Sequence, residues 1–381
     1  MNEPVNGFEF LESLRKGNGK PEQSFKSFSN YLDEKAREKG IPVHGQFELT
    51  PLCNFSCKMC YVHLNADQLA GRQIISIETW KNLMHQAWEA GMMHATLTGG
   101  ECLIYPGFDE LFLFLHSLGC EISVFTNGYL LDDSRIEFFL QHTPSAIQIT
   151  LYGCNEDVYE RVTGERAFST VVENARKAVE AGLPVRISVT PSRYLGEDVL
   201  ETVRIGKDIS KAFLVNAGIF TPREETGRSQ QRDDLDVDEY IRIHRLLNKM
   251  EGREAKEIDS DMLPAAGGSF HECDEYGLLC GAGRSSFVVD WKGTMIPCNH
   301  LDMVRSYPLK DGFHAAWSSI NLAANSWPRV PECKGCAYRS VCNTCAAAML
   351  QYASPGKQPV EICEKTRHFV RHGIVSIPNC E

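Results

Sequence analysis

The feature that most restricts the fold of this chain is a repeated alternation of strand-like and helix-like segments. Six short apolar segments open the repeats: QFELT (46–50), HATLT (94–98), EISVFTNG (121–128), AIQITLYG (146–153), PVRISVTP (184–191) and AFLVNAGIF (212–220). The first helical segment has Ser76 as its N-cap and Gly91 at its end. This order predicts an α/β fold with a parallel sheet flanked by helices, wound as a barrel or a doubly wound sheet. Six repeats are fewer than the eight of a closed barrel, so a partial, open (β/α)6 barrel satisfies the pattern.

Different patterns flank the repeats and divide the chain into four predicted regions. Residues 1–44 are a helical extension, with an amphipathic helix that ends at Gly40. The barrel covers 45–235, and a bridging helix with a linker covers 236–270. Residues 271–381 are rich in Cys and Gly and lack long periodic segments. We predict that they form a small domain with a β-hairpin at FVVDWKGTMIPC and short helices, held together by metal.

Charge and cysteine content exclude several classes of function. The net charge of -11 opposes a broad surface for nucleic acid or membrane. No apolar run is long enough to span a bilayer. The segment MNEPVNGFEF lacks the basic start and the following apolar stretch of an export signal. We therefore predict a cytoplasmic protein that binds neither nucleic acid nor a membrane. In such a protein, fifteen cysteines with CxxC spacings favour metal sites over disulfides.

Three cysteines stand directly after the first predicted strand, in CNFSCKMC. These are Cys53, Cys57 and Cys60. Loops that follow the strands of a parallel barrel line its active face, and thiolates are ligands for zinc or iron–sulfur clusters. A structural zinc ion requires four ligands, and His63 could supply the fourth. A cluster held by three cysteines would instead leave one iron open to bind another molecule.

The CX3CX2C spacing after the first strand resembles the radical S-adenosylmethionine superfamily. The resemblance implies a partial barrel in which the three cysteines hold a [4Fe-4S] cluster. S-adenosylmethionine then binds the open iron through its amino and carboxylate groups. One electron cleaves the sulfonium, and the resulting 5'-deoxyadenosyl radical abstracts hydrogen from substrate.

The same resemblance implies residues that contact S-adenosylmethionine. The stretch Gly99, Gly100 and Glu101 would meet the methionine amino group, and Tyr61 would lie near the adenine. Candidates for the ribose and carboxylate are the strand-end residues Thr126, Asn127, Thr150 and Ser188, with Arg161 as a partner of the carboxylate. The alternative for each is an ordinary polar group at a strand end. The sequence assigns no catalytic acid or base.

The C-terminal cysteines resemble the SPASM extension of these enzymes, which is named for maturases of peptides and sulfatases. Cys280, Gly293 and Cys298 match its CX9–15GX4C element, and the chain departs from the pattern by a CX2C step to Cys345. The resemblance implies two further [4Fe-4S] clusters, one on Cys273, Cys280, Cys298 and Cys345 and one on Cys333, Cys336, Cys342 and Cys363. A pair of zinc ribbons is the alternative.

The resemblance implies a peptide or protein substrate that receives an oxidative modification or a crosslink, and a reductant such as flavodoxin or ferredoxin. Residues 1–44 are fewer than a winged-helix recognition domain needs, so a leader peptide would bind the barrel mouth, the N-terminal helix or a partner protein. A small molecule such as a tetrapyrrole or a sugar is an alternative substrate. A formylglycine maturase is disfavoured, because Asn299 stands where that branch has Asp, although Asp302 could substitute. A non-catalytic electron carrier would need no open iron.

Overall fold

An eight-stranded sheet is the framework of the protein. The computed structural model describes residues 21–216, 218–223, 226, 236–250, 276–372 and 374. The strands are β1 (His44–Glu48), β2 (His94–Thr98), β3 (Glu121–Thr126), β4 (Ala146–Thr150), β5 (Val185–Val189), β6 (Phe213–Val215), β7 (Ser286–Val289) and β8 (Met295–Ile296). Their order is β6-β5-β4-β3-β2-β1-β7-β8, and all neighbours are parallel except β7 and β8. The predicted α/β fold with a partial barrel is confirmed.

Helices follow the strands as the sequence pattern predicts. They are α1 (Pro21–Lys39), α2 (Ala66–Leu69), α3 (Ile77–Glu89), α4 (Phe108–Ser117), α5 (Asp133–Gln141), α6 (Glu156–Thr163), α7 (Phe168–Glu180), α8 (Val199–Ile209), α9 (Val237–Met250), α10 (Pro308–Asp311), α11 (Phe313–Asn325), α12 (Ala346–Leu350) and α13 (Val360–Arg371). Ser76 caps α3 as predicted, because its hydroxyl accepts the Thr79 N–H at 3.2 Å. The sequence pattern does not predict α6, whose eight residues are too few for a clear helical period. Within the described chain, no helix has the length and apolar character to cross a bilayer.

The predicted C-terminal hairpin is present as β7 and β8, and it joins the barrel sheet. Residues His44–Phe47 of β1 lie opposite Ser286–Val289 of β7. The Phe287 ring packs edge-on against Phe47 at 5.9 Å and against Phe313 at 5.1 Å, measured between ring centroids. The Cys-rich region therefore shares the apolar core of the barrel.

Strand β1 separates an apolar face from a polar one. Phe47 is fully buried and meets the Trp80 ring of α3 at 5.9 Å between centroids. Alternation along a strand turns Gln46 and Glu48 to the opposite face, inside the barrel. The carboxyl ends of β1, β2 and β3 lie at one edge of the sheet, because these strands are parallel neighbours. The loop with the cysteine triplet begins at this edge.

Candidate metal centres

The three cysteines of the triplet lie together in the loop after β1. Cys57 is buried, and Cys53 and Cys60 are half-buried. The Cys60 N–H donates to the Cys57 carbonyl at 3.1 Å, which closes the loop on itself. The pKa of the Tyr152 hydroxyl is raised by burial and then by the nearby thiols of Cys57, Cys60 and Cys53. All three thiols therefore share one neighbourhood beside Tyr152.

Backbone N–H groups point at two of these sulfurs. Phe55 donates to Cys53 Sγ and His63 donates to Cys60 Sγ, each at 3.3 Å. Burial raises the pKa of the Cys53 thiol to about 12, and the charges of Glu101 and Cys60 act in the same direction. A metal cation replaces such a proton, and N–H donors then stabilise the thiolate. This set of soft sulfur ligands fits an iron–sulfur cluster.

Gly99 and Gly100 pack against the chain that leads into Cys53. The Gly100 N–H donates to the Thr50 carbonyl at 2.7 Å. A Cβ on Gly99 would lie 2.4 Å from the Thr50 oxygen, and a Cβ on Gly100 would lie 2.3 Å from the Leu52 oxygen. Gly99 also has a φ of +149°. Only glycine allows this approach, so the pair fixes the start of the triplet loop.

Glu101 connects the ends of β2 and β3. Its side chain is fully buried. One oxygen accepts the Leu103 N–H at 3.0 Å and the Thr126 hydroxyl at 2.9 Å, and the other accepts the Asn127 N–H at 2.7 Å. Burial raises the pKa of Glu101, while these donors lower it. Both oxygens have partners within the chain, and the contact with a methionine amino group stays a prediction.

Asn127 links this network to the triplet. Its side-chain nitrogen donates to Asn54 Oδ1 at 2.7 Å and lies 3.6 Å from Cys53 Sγ. Its side-chain oxygen accepts the Tyr129 N–H at 2.9 Å. The predicted residues Thr126 and Asn127 therefore lie next to the cysteine triplet loop, as Gly99, Gly100 and Glu101 do.

The other predicted contacts lie farther along the sheet. Thr150 and Ser188 face each other in the register of β4 and β5, and Ser188 is buried. Arg161 on α6 is ion-paired with Asp198 and donates to the Tyr194 carbonyl at 3.0 Å. The roles of these three residues stay predictions.

Tyr61 lies between the triplet and the C-terminal region. Its ring meets His300 edge-on at 4.8 Å between centroids, and the Arg223 guanidinium lies 5.4 Å above its centroid. The backbone N–H of Arg223 donates to the Tyr61 carbonyl at 3.1 Å. Burial raises the pKa of the Tyr61 hydroxyl, and the charge of Glu48 raises it further. Contact with an adenine stays a prediction.

A buried ion pair beside Tyr61 joins strand β1 to the segment that follows β6. Arg223 donates to both Glu48 oxygens, at 2.7 and 2.8 Å, and to the Asn299 carbonyl at 3.2 Å. The Gln46 amide donates to Asn299 Oδ1 at 3.0 Å. The sequence pattern does not predict the partner of Glu48, although a glutamate in the apolar strand QFELT indicates a buried charge. Asn299, which stands where formylglycine maturases have Asp, thus accepts hydrogen bonds from Arg223 and Gln46.

A cavity of about 280 Å³ opens beside this ion pair. His300 stacks on Phe220 at 3.7 Å between centroids. Burial, and then the charge of Arg223, lowers the pKa of His300 to about 3, so its ring is neutral. Residues from three segments line the cavity, among them Phe220, Arg223, Asn299, His300, Met303 and Leu350.

The described cysteines of the first C-terminal set lie together. Burial raises the pKa of the Cys298 thiol to about 12, and the neighbouring thiols of Cys280 and Cys345 contribute. Burial also raises the pKa of Cys280, with Cys345 as a neighbour. Cys345 is therefore close to this set although its spacing departs from the family pattern. Cys273 lies outside the described residues.

The second set gathers all four of its predicted members. Burial raises the pKa of the Cys333 thiol, and the thiols of Cys342, Cys363 and Cys336 raise it further. The Thr366 hydroxyl donates to Cys342 Sγ at 3.5 Å. Four soft ligands in one neighbourhood fit a [4Fe-4S] cluster. The assignment of these clusters stays a prediction.

The remaining described cysteines lie apart from these sets. Cys102 and Cys120 are buried, and the Cys102 thiol donates to the Phe125 carbonyl at 3.3 Å. Cys154 is half-buried. In the described parts of the chain, no three His, Cys, Asp or Glu side chains are close enough to hold a single metal ion.

Comparison with known proteins shows what the barrel is similar to. Residues 47–205 match the family model described as Radical SAM superfamily. The chain is 25% identical over 283 residues to the sporulation killing factor maturation protein SkfB of Bacillus subtilis, covering 74% of this chain and 66% of SkfB. It is 24% identical over 288 residues to the antilisterial bacteriocin subtilosin biosynthesis protein AlbA of the same organism, covering 75% of this chain and 60% of AlbA. The chain thus spans less than two thirds of either relative.

A solved structure has the same fold over most of the chain. The crystal structure of Streptococcus suis SuiB bound to S-adenosylmethionine superposes with a TM-score of 0.66. The match covers 94% of this chain and 87% of SuiB at 18% identity. This likeness concerns the fold, and it includes the C-terminal region as well as the barrel.

Proposed function

We propose that this chain, which carries a Radical SAM superfamily domain over residues 47–205, is an enzyme that modifies a peptide or protein. The observation that carries the proposal is the gathering of Cys53, Cys57 and Cys60 at the carboxyl edge of β1, with the Gly99–Gly100 segment packed on the same loop. The family implies a [4Fe-4S] cluster and S-adenosylmethionine.

The residues of the chain have separate roles in this proposal. The triplet thiolates hold the cluster, and the N–H groups of Phe55 and His63 stabilise two of them. Once bound, the cluster and S-adenosylmethionine supply one-electron cleavage of a sulfonium and a carbon radical that abstracts hydrogen. Glu101 and Asn127 keep the loop in place.

The cavity beside His300 is the proposed site for a substrate side chain. It is bounded by Arg223 and Asn299, which are also bonded to the barrel strand β1 through Glu48 and Gln46. Its lining residue His300 follows Cys298 closely in the chain and contacts Tyr61, which follows Cys60. The similarity to SkfB, a sporulation killing factor maturation protein, and to AlbA, an antilisterial bacteriocin biosynthesis protein, supports a peptide substrate.

We further propose that the two C-terminal sets hold [4Fe-4S] clusters and that a flavodoxin or ferredoxin supplies electrons. Four cysteines for each cluster would leave no iron open, which favours electron transfer over substrate binding. The closeness of the thiols within each set supports these assignments.

Iron analysis and product analysis test the proposal. Anaerobically purified protein should contain about twelve irons per chain, four for each cluster. Dithionite and S-adenosylmethionine should yield 5'-deoxyadenosine, and the Cys53→Ala, Cys57→Ala and Cys60→Ala variants should yield none. Zinc in place of iron, or product from the triplet variants, would contradict the assignment. Deuterium transfer from labelled candidate peptides into 5'-deoxyadenosine would identify the substrate.

A further inference from the structure

The side chain of Asn127 is held in one orientation at the end of β3. Its backbone N–H donates to Glu101 Oε2 at 2.7 Å, and its side-chain oxygen accepts the Tyr129 N–H at 2.9 Å. A backbone nitrogen can only donate, so the bond from Tyr129 identifies the other side-chain atom as the NH2 group. Asn127 is only 7% exposed. Its NH2 group therefore needs acceptors within the protein rather than in solvent.

This NH2 group faces the first cysteine of the triplet. It donates to Asn54 Oδ1 at 2.7 Å and to Cys53 Sγ at 3.6 Å. An NH2 group carries two hydrogens, so both bonds can form at the same time. The Phe55 N–H donates to the same sulfur at 3.3 Å. Cys53 Sγ is thus contacted by one donor from the backbone of its own loop and by one from a side chain on the neighbouring strand end.

These contacts bear on the role that the sequence predicts for Asn127, which is contact with the ribose or carboxylate of S-adenosylmethionine. The side-chain oxygen already accepts a hydrogen bond, and each NH2 hydrogen has an acceptor within the chain. A ligand that took either hydrogen would have to displace Asn54 Oδ1 or Cys53 Sγ. The geometry therefore favours a role of Asn127 at the cysteine sulfur over a role at the ligand.

We propose that Asn127 raises the reduction potential of the triplet site through its hydrogen bond to Cys53 Sγ. The inference rests on the proposed function, in which the triplet thiolates hold a [4Fe-4S] cluster. Hydrogen bonds to the sulfurs of such a cluster help to set its potential, because they stabilise the more negative, reduced form. Asn127 is a positioning residue in this role, since it acts through Cys53. Glu101 fixes the backbone from which the amide extends.

A reductive titration of Asn127→Leu tests the inference. Anaerobically reconstituted protein without S-adenosylmethionine is reduced with a europium(II) chelate and followed by electron paramagnetic resonance, and the triplet signal is the one that Cys53→Ala lacks. Leucine has a similar size but no donor, so the ratio of reduced to oxidised triplet cluster at a fixed potential should fall about tenfold, a shift of about 59 mV to lower potential for one electron. Asn127→Asp keeps the acceptor for Tyr129 and should shift the potential in the same direction, which covers the case in which Asn127→Leu does not load iron.

A second buried asparagine provides a matched control. Asn174 Nδ2 donates to the carbonyls of Gly128 and Tyr129, at 3.1 and 2.9 Å. Asn174→Leu therefore removes two hydrogen bonds from the turn that follows Asn127 but leaves the donor to Cys53 Sγ in the chain. This variant should keep the potential of the unmodified protein.

The affinity for S-adenosylmethionine separates the two roles of Asn127. Calorimetric titration should give Asn127→Leu a Kd within about threefold of that of the unmodified protein. An unchanged potential together with binding weakened about tenfold or more overturns the inference in favour of a ligand contact. An equal fall in potential in Asn174→Leu, or loss of the triplet iron from both Asn127 variants, also overturns it, because the residue would then only support the loop. Absence of any triplet signal from the unmodified protein would instead refute the proposed function.

Discussion

Among single residues, Glu101 links the triplet loop to the end of β3. Its buried carboxylate accepts three hydrogen bonds from N–H and O–H groups, two of them at the end of β3. Hydrogen bonds to a charged group contribute about 1.5–3 kcal/mol each, more than neutral ones. Asn127, held by one of these bonds, in turn contacts Asn54 and Cys53. A change at Glu101 therefore reaches the cysteine triplet through linked hydrogen bonds.

Replacement of this carboxylate should cost stability. We expect Glu101→Gln to lower the free energy of unfolding by about 2–4 kcal/mol, because the new amide NH2 cannot accept the bond that one carboxylate oxygen now accepts. Chemical denaturation under anaerobic conditions measures the change. The control is Glu137→Gln on α5, whose side chain is exposed. Equal stability of the two variants would contradict the role given to Glu101.

Loss of the close approach at Gly100 should impair iron loading. A Cβ there would lie 2.3 Å from the Leu52 carbonyl oxygen, so Gly100→Ala must displace the chain that enters the triplet loop. We expect the variant to lose about four irons per chain, those of the triplet cluster. The control is Gly182→Ala, which has a φ of +89° but open space around it. If both variants keep full iron content, the close approach of Gly100 to the Leu52 carbonyl is not required for the triplet to bind iron.

Among the secondary-structure elements, the contact between α9 and α13 depends on a neutral histidine. The His244 ring lies 4.1 Å from Tyr240 between centroids, and Tyr240 stacks on Phe369 at 4.8 Å. Both ring nitrogens of His244 are buried without a hydrogen-bond partner among the described residues. Burial, and then the charge of Lys365, lowers the pKa of His244 to about 4. Because α13 carries Cys363, this contact also supports the second cysteine set.

This histidine should make stability depend on pH. Its pKa is lower in the folded state, so the unfolded chain binds more protons between about pH 6.5 and 4, and stability falls as pH falls through that window. Going from pH 7.5 to 5.5 should cost about 1.4 kcal/mol at this site. We expect His244→Leu to lose less stability than the unmodified protein over this range in anaerobic denaturation. The exposed His314 provides the control as His314→Leu, which should keep the full pH dependence.

Across the whole molecule, the sequence pattern predicts features that depend on local order. The six strands follow from apolar periodicity, the triplet follows from cysteine spacing, and the division of the C-terminal cysteines into two sets follows from the family resemblance. Long-range partners leave no such periodic signal. The pairing of β7 with β1 joins distant segments, and the Glu48–Arg223 pair links a strand to a polar segment after β6. Both depend on how the sheet curves, which spacing along the chain does not record.

The two C-terminal sets should load iron independently. Cys345→Ala should lose about four irons per chain from the first set, and Cys363→Ala about four from the second, because the described thiols of each set are neighbours of one another. Iron analysis with Mössbauer spectroscopy measures both. The buried Cys120 is the control, and Cys120→Ala should keep all the iron. Loss of both clusters in either variant would show that the sets depend on each other.

The pairing of β1 with β7 also sets the order in which a newly made chain can mature. The ribosome releases β1 early, but β7 ends only at Val289. Until then, one edge of β1 has no neighbour, and an open edge invites pairing with other chains. Contacts between distant segments form slowly, so the sheet around β1 is completed late. The triplet is thus translated long before β7, but the sheet that holds its loop is complete only after β7 has paired with β1.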